Sequence, residues 1–279
     1  MIVTSKELFD RSREKNFALP SANYVDQLSA AAHVEVAEEL GLPLILSFAQ
    51  AHQQFCPYDD AITIGKYYAQ KAKVPVVLHL DHGTDRDFIF KAIDAGFKSV
   101  MIDASFEAFD ENVRRTKEIV DYAHARGVVV EAEIGHVGGG DEYENQTDSN
   151  NIYTTVEDAR KFCELTNVDS LAISIGTAHG TYKGTPTIDF ERLTEIRNAI
   201  DVPLVLHGGS SSGDENLNKC AVGGISKINI YTDFIIAAYN AAQESKAETY
   251  FEIRQAMKDG MKNCLKHYYE VFETYKYNE

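Results

Sequence analysis

Three histidines in this chain each stand at the end of a strand-like run: His82 after VPVVLHLD, His179 after SLAISIGTA and His207 after VPLVL. Acids gather at the same level. Asp81 precedes His82, Asp103 ends SVMID, and Glu131 and Glu133 alternate along GVVVEAEIGH (127–136). Polar groups buried without partners are costly, so five strands carrying them at one end point to a site. Three neutral imidazoles leave one position open on a tetrahedral zinc ion, which makes the metal a Lewis acid. One strand-end histidine alone is more often a hydrogen-bonded core residue; three on separate strands at one level point to metal. Asp81 has two readings, a free acid/base group beside the ligand or a carboxylate that orients His179 or His207. His79 and Asp81 share a strand face, whereas His82 points elsewhere unless the strand has ended. His33, His124 and His267 fall in helical patterns and read as packing or surface residues. His52 is ambiguous, and His136 is as readily structural as functional.

An anion site is legible beside these ligands. In HGGSSSGD (207–214), Gly208 and Gly209 let backbone N–H groups approach an anion, and Ser210 adds a hydroxyl. In NIYTD (229–233), Thr232 and Asp233 stand where a helix should begin, and helix N-termini bind phosphate. HGTYKG (179–184) adds Gly180 and Lys183, the latter either a phosphate ligand or a residue of a surface turn. Metal, phosphate site and acid/base group together suggest chemistry next to a carbonyl on a phosphorylated substrate. The other route to such a carbanion is a lysine Schiff base. Lys227 lies inside a strand and Lys98 precedes one, so no lysine ends a predicted strand and metal is favoured over imine.

The elements that must position these residues are visible as alternating patterns. Strands are predicted over 16–22, 42–50, 74–82, 99–105, 127–136, 170–180, 202–210 and 225–233. Their near-continuous apolar runs suggest burial on both faces, as in a parallel sheet. Helices are predicted over 26–41, 85–96, 110–127, 154–167 and 188–200, several with a terminal Gly or an N-terminal Thr or acid. Eight βα units in 279 residues predict one (β/α)8 TIM barrel, with 234–279 as a C-terminal helical extension. Catalytic groups in such barrels lie at the C-terminal ends of the strands, where these residues collect. The polar segment GGGDEYENQTDSNN (138–151) after the fifth strand has the length of a lid.

The formal charge of −16 argues against nucleic acid or anionic membrane as a partner but permits a locally positive site for a small anionic substrate. Cys56, Cys163, Cys220 and Cys264 are scattered and form no CxxC pair, consistent with reduced thiols. No signal peptide or membrane span is visible, so a cytoplasmic location is expected.

At the blocks HLDHG, SVMIDAS, EAEIGHVGG, DSLAISIGTAHGTYKG, VPLVLHGGSS and KINIYTD the chain resembles the class II, metal-dependent ketose-bisphosphate aldolases. The blocks match in order and spacing over roughly residues 1–235. The resemblance implies a zinc-dependent barrel enzyme, a homodimer or homotetramer, acting in carbohydrate metabolism such as glycolysis. Such an enzyme cleaves a ketose phosphate to dihydroxyacetone phosphate and an aldehyde. It implies His82, His179 and His207 as zinc ligands and Asp81 as the proton donor/acceptor on the aldehyde-derived oxygen. Asp103 and Glu133 match positions of an alternative or second metal site. Gly180, Gly208, Gly209, Ser210, Asn229, Ile230, Tyr231 and Thr232 match the dihydroxyacetone phosphate cradle. Asn23 matches a substrate-contacting asparagine. Among the loop acids Asp141 and Glu142, Asp141 aligns best with the carboxylate that moves the carbon-bound proton. A monovalent cation, Na+ or K+, near the phosphate is also implied.

The chain departs from that pattern at the far end of the substrate. Where relatives carry serine in SEGA or SNGG, SFAQAH places Ala49. The C-terminal DPR arginine is missing from ETYFEIRQAM (248–257), where Tyr250 falls and Arg254 lies a turn away; Tyr231 replaces a smaller residue. The resemblance makes fructose or tagatose 1,6-bisphosphate the default substrate, and Ala49 and Tyr250 bring in a sugar 1-phosphate lacking a distal phosphate as the alternative. Two readings of other classes are a metal hydrolase on the same barrel and a non-catalytic scaffold subunit. The first usually shows an HxH pair on strand one, absent here. The second would normally have lost the ligands this chain retains.

Overall fold

A computed structural model describes residues 1–135, 137, 153–180 and 184–279. Eight parallel strands form a closed barrel in chain order, β8 pairing back onto β1. They are β1 Leu19–Asn23, β2 Leu44–Ala49, β3 Val76–Gly83, β4 Ser99–Ile102, β5 Val129–Ile134, β6 Ser170–Ile173, β7 Leu204–Leu206 and β8 Ile225–Ile230. The (β/α)8 TIM barrel predicted from the alternating patterns is thus the fold. The helices between strands are α2 Gln27–Leu40, α3 Tyr58–Lys71, α4 Arg86–Ala95, α5 Phe109–His124, α6 Val156–Thr166, α7 Phe190–Ala199 and α8 Asp214–Gly223. Before them comes α1, Lys6–Lys15, and after β8 come α9, Thr232–Glu244, and α10, Tyr250–Val271.

The apolar strands separate into two faces. Leu44, Leu46 and Phe48 of β2, Val76, Leu78 and Leu80 of β3, and Ile228 and Ile230 of β8 belong to the large core shared with the helices. Their neighbours Ser47, His79, Asp81, Lys227 and Asn229 are also buried, but on the opposite, interior face. Burial on both faces therefore coexists with a chemical difference between them toward the C-terminal ends of the strands. Outside, hydrocarbon packs under helices; inside, polar groups must satisfy one another. They do so through Ser21–Ser47 at 2.6 Å, His79 Nδ1–Ser99 Oγ at 2.8 Å, and the Lys227–Glu131 ion pair.

Three helices that the sequence patterns do not announce, α1, α3 and α8, complete the layer. Leu8 and Phe9 of α1 pack with Phe17, Leu19, Ile45 and Val77 near the N-terminal ends of β1 to β3. This closes the barrel at the end opposite His82. With so few apolar positions among charges, α1 has little signature of its own until the barrel supplies its partner. The C-terminal segment is tied to the barrel as well: Tyr269 donates to the Pro43 carbonyl at 2.9 Å and Thr274 to the Ala18 carbonyl at 2.7 Å. All four cysteines are free thiols. Among the described residues no helix is long and apolar enough to cross a membrane.

Most strands are shorter than their predicted runs, β6 and β7 most of all. β6 stops at Ile173 and β7 at Leu206, so His179 and His207 stand on the connections beyond them. His82 remains within β3 but has a left-handed φ of 45°, in a stretch where the β3–β4 register shifts between Leu80 and Gly83. That irregularity frees His82 from the strict alternation that would have turned it into the outer core.

Candidate active site

Three ring nitrogens converge at the C-terminal mouth of the barrel. His82 Nε2 lies 3.1 Å from His179 Nε2 and 2.8 Å from His207 Nδ1. The other nitrogen of each ring is committed. His82 Nδ1 donates to Asp103 Oδ2 at 2.8 Å, His179 Nδ1 to the Val137 carbonyl at 3.1 Å, and His207 Nε2 to Glu131 Oε1 at 2.9 Å. These partners select the tautomers of the neutral rings, so that with His82 deprotonated three lone pairs face a common point. Lone pairs at such separations repel unless a cation lies between them. Bonds of about 2.0–2.1 Å to tetrahedral zinc place ligand nitrogens about 3.3 Å apart, so small rotations of the rings would admit the ion. A carboxylate or carbonyl behind each ligating imidazole is the usual support of such sites. The residues therefore fit the metal that the sequence implies.

The electrostatics agree. Burial disfavours a charge on His82, but Asp81, Asp103 and Glu133 outweigh it and raise its pKa to about 9. The same carboxylates that attract a proton there would attract a metal ion. Burial lowers His179 to about 3, keeping it a neutral ligand. Glu133 is raised to about 8 by burial and by the neighbouring Asp103, and its Oε2 is buried without a partner. His82, Asp103 and Glu133 can present one atom each within 4.8 Å of one another, as can the three histidines. Asp103 thus does two things. It accepts from His82 and from the Ser105 hydroxyl, and it faces Glu133 across a second position suited to a cation.

Asp81 is fully enclosed and doubly held. Its Oδ2 accepts from Asn23 Nδ2 and its Oδ1 from Asn229 Nδ2, both at 2.8 Å. Burial works against its charge, but His82, Lys227 and His207 hold its carboxyl well below the usual range. The amide oxygens of Asn23 and Asn229 are buried and unpartnered, leaving acceptors for hydroxyl groups beside the carboxylate. Asp81 does not orient His179 or His207, because the Val137 carbonyl and Glu131 occupy those places.

Glu131 is the residue whose part the sequence did not disclose. Lys227 Nζ lies 2.8 Å from both of its oxygens and 3.3 Å from His79 Nε2, all buried inside the barrel. Burial opposes the charge on Glu131, and Lys227 and His207 more than offset that, lowering it to about 2. The Lys227–Glu131 pair consequently holds the Nε2–H tautomer of His207. Its signal was present in sequence as the EAE alternation and the lone lysine of ISKINI, both on the interior face. His79 is an interior support, its Nδ1 2.8 Å from the Ser99 hydroxyl.

The residues of the expected anion cradle lie beside the histidines. Gly180, Gly208, Gly209, Ser210, Asn229, Tyr231 and Thr232 line the same pocket as Asn23, Asp81, His82 and His179. Gly208 has φ 67°, and a Cβ there would lie 2.4 Å from the Ala178 carbonyl oxygen, so only glycine fits. Ser210 Oγ accepts from the Tyr231 N–H at 3.1 Å at the start of α9. Ile230 differs: its side chain is in the outer core, leaving only its backbone near the cradle. Asp141, Glu142, His136 and Lys183 lie outside the described residues. His33 packs inside against Phe234, while His124 and His267 pair with Asp169 and Asp214 away from the pocket. His52, ambiguous in sequence, lines the pocket.

Comparison with known proteins agrees with this geometry. The family described as fructose-bisphosphate aldolase class-II matches residues 3–276. The crystal structure of the YdjI aldolase from Escherichia coli K12 is similar at 33% identity and a TM-score of 0.88, covering 98% of this chain and 97% of that one. The fructose-bisphosphate aldolase of Campylobacter jejuni is similar at 25% identity and a TM-score of 0.82, covering 98% and 96%.

Proposed function

The chain belongs to the class II fructose-bisphosphate aldolase family and is a carbon–carbon lyase; we propose that it uses zinc to cleave a ketose 1-phosphate or 1,6-bisphosphate reversibly, fructose or tagatose 1,6-bisphosphate by default, to dihydroxyacetone phosphate and an aldehyde. The observation that carries this reading is the convergence of three histidine lone pairs next to an enclosed carboxylate and a glycine-rich cradle. His82, His179 and His207 would hold the ion, with Asp103 and Glu133 offering a second position. A divalent cation held there supplies Lewis acidity toward the substrate carbonyl.

The protein's own groups account for the rest. Gly208, Gly209, Ser210 and the N–H groups opening α9 offer donors to the 1-phosphate, with Gly180 beside them. A monovalent cation near that phosphate is part of the same reading. Asn23 and Asn229 fix the Asp81 carboxylate and offer their amide oxygens to substrate hydroxyls. In cleavage, Asp81 takes the C4 hydroxyl proton as the C3–C4 bond breaks. C4 becomes the aldehyde carbon, and the electron pair stays with the dihydroxyacetone phosphate half. A loop carboxylate, Asp141 in this reading, returns a proton to C3.

A substrate without a distal phosphate is the second reading. It is favoured by Ala49, which is the register partner of Asp81 and brings no hydroxyl to the wall beside it. The test is retro-aldol assay of ketose 1-phosphates and 1,6-bisphosphates, with dihydroxyacetone phosphate detected by a coupled dehydrogenase. At least one should be cleaved, activity should vanish on chelation, and zinc should restore it. Chelator-sensitive ester or amide hydrolysis without aldol cleavage would refute the assignment.

A homodimer or homotetramer belongs to the same proposal. Ile235, Ile236 and Tyr239 of α9 and Tyr250, Phe251 and Ile253 of α10 are all exposed. Apolar surface of that kind favours association. Sedimentation velocity should return a mass at least twice 31.1 kDa, and a monomer at micromolar concentration would contradict it.

A further inference from the structure

His52 lines the same pocket as Asn23, Ala49 and Asp81. It follows β2 on a short 3-10 turn, Gln50–Gln54. That turn begins directly after Ala49, the register partner of Asp81. The ring packs on Tyr231 at 4.1 Å between centroids and meets Phe48 edge-on at 6.4 Å. It therefore has a fixed orientation. Its Nδ1 is buried and has no partner. A buried nitrogen without a partner is tolerated far better as a lone pair than as an N–H donor. The neutral ring thus carries its proton on Nε2, the edge left to face the pocket that His52 lines with Asn23 and Asp81. Burial lowers the pKa of His52, so the donor is an uncharged N–H.

We propose that His52 is a specificity-determining residue that donates a hydrogen bond to the hydroxyl on the substrate carbon next to the cleaved aldehyde carbon. This would select 2-hydroxyaldehydes as the second substrate in condensation. It rests on the aldolase reading, in which Asp81 serves the C4 oxygen; the neighbouring C5 oxygen then falls to a polar group elsewhere on the wall of the same pocket, which His52 lines with Asp81. A neutral donor suits a neutral hydroxyl. A site built to pair a hydroxyl discriminates strongly against the analogue that lacks it.

The test compares condensation of dihydroxyacetone phosphate with 2-hydroxypropanal, both enantiomers, and with propanal, which differs only in that hydroxyl. The zinc-loaded full chain should favour one 2-hydroxypropanal enantiomer over propanal in kcat/KM by roughly tenfold or more. In His52→Phe, which keeps the packing on Tyr231, this ratio should fall toward one. In His52→Gln, which keeps a donor, it should recover in part. A structural role alone would lower both rates together and leave the ratio intact, and that result would overturn the proposal. So would an unmodified enzyme that shows no preference. Solvent exchange of the carbon-bound proton of dihydroxyacetone phosphate, which needs no aldehyde, separates the two levels. If the unmodified chain neither exchanges that proton nor condenses, the aldolase reading itself fails; if it exchanges and condenses without discrimination, only the assignment of His52 fails.

Discussion

Asp81→Ala should retain zinc at wild-type stoichiometry and lose retro-aldol turnover by about 10²- to 10⁴-fold, the range over which a positioned acid/base group acts. Zinc is measured by metal analysis after dialysis, and turnover by release of dihydroxyacetone phosphate. The separation of the two readouts follows from geometry. Asp81 makes no hydrogen bond to His179 or His207, whose second nitrogens are held by the Val137 carbonyl and Glu131. Removing the carboxylate therefore leaves the ligand tautomers in place. It also strips Asn23 and Asn229 of their shared acceptor, so the hydroxyls those amides would meet lose alignment too. A His82→Ala comparison should behave differently and lose zinc and turnover together. An Asp81→Ala enzyme that cleaves at the wild-type rate would remove Asp81 from the proton path.

Lys227→Met should be damaging although Lys227 touches no substrate-facing surface. The ammonium is 2.8 Å from both Glu131 oxygens in a part of the barrel closed to water. Removing one partner of a buried pair leaves the other charge uncompensated, at about 3–5 kcal/mol. Denaturant unfolding should show that loss in the midpoint. Glu131 would also become a poorer anchor for His207 Nε2, and loss of such outer support weakens metal binding by about 10- to 100-fold. Competition with a chromogenic chelator measures it. The double variant Lys227→Met, Glu131→Gln should recover much of the stability, because no unpaired charge remains, while an amide can still accept from His207. If Lys227→Met unfolds at the wild-type midpoint and holds zinc as tightly, the pair has no part in supporting the ligand.

The two predictions draw on residues of very different visibility. Asp81 and the three histidines could be read from sequence because their types conflict with their setting: charged and metal-ligating groups closing apolar runs have few explanations besides a site. The barrel was legible for a related reason. Eight apolar runs alternating with helical patterns admit few other parallel arrangements, and Gly or acid punctuation marked most helix ends. Helices α1, α3 and α8 escaped because they gain their apolar face only against the strands. Glu131 and Lys227 were each visible as a charge on an interior strand face, but their pairing escaped because a salt bridge between residues 96 positions apart has no local signature.

Residue types and their spacing by themselves pointed to the proposed chemistry, a metal with an acid/base group and a phosphate cradle, at the strand ends of a parallel barrel. Tertiary structure alone decided which groups serve and which support. Closure of β8 onto β1 brings Asn229 and Lys227 to Asp81 and Glu131. The left-handed φ at His82 turns one imidazole out of alternation toward two that stand on loops. The place of His52 in the pocket that Asp81 lines follows from the turn after β2, whose last residue Ala49 is in register with Asp81, rather than from any motif. Each of these depends on distances between strands far apart in the chain, and such distances exist only once the barrel has closed.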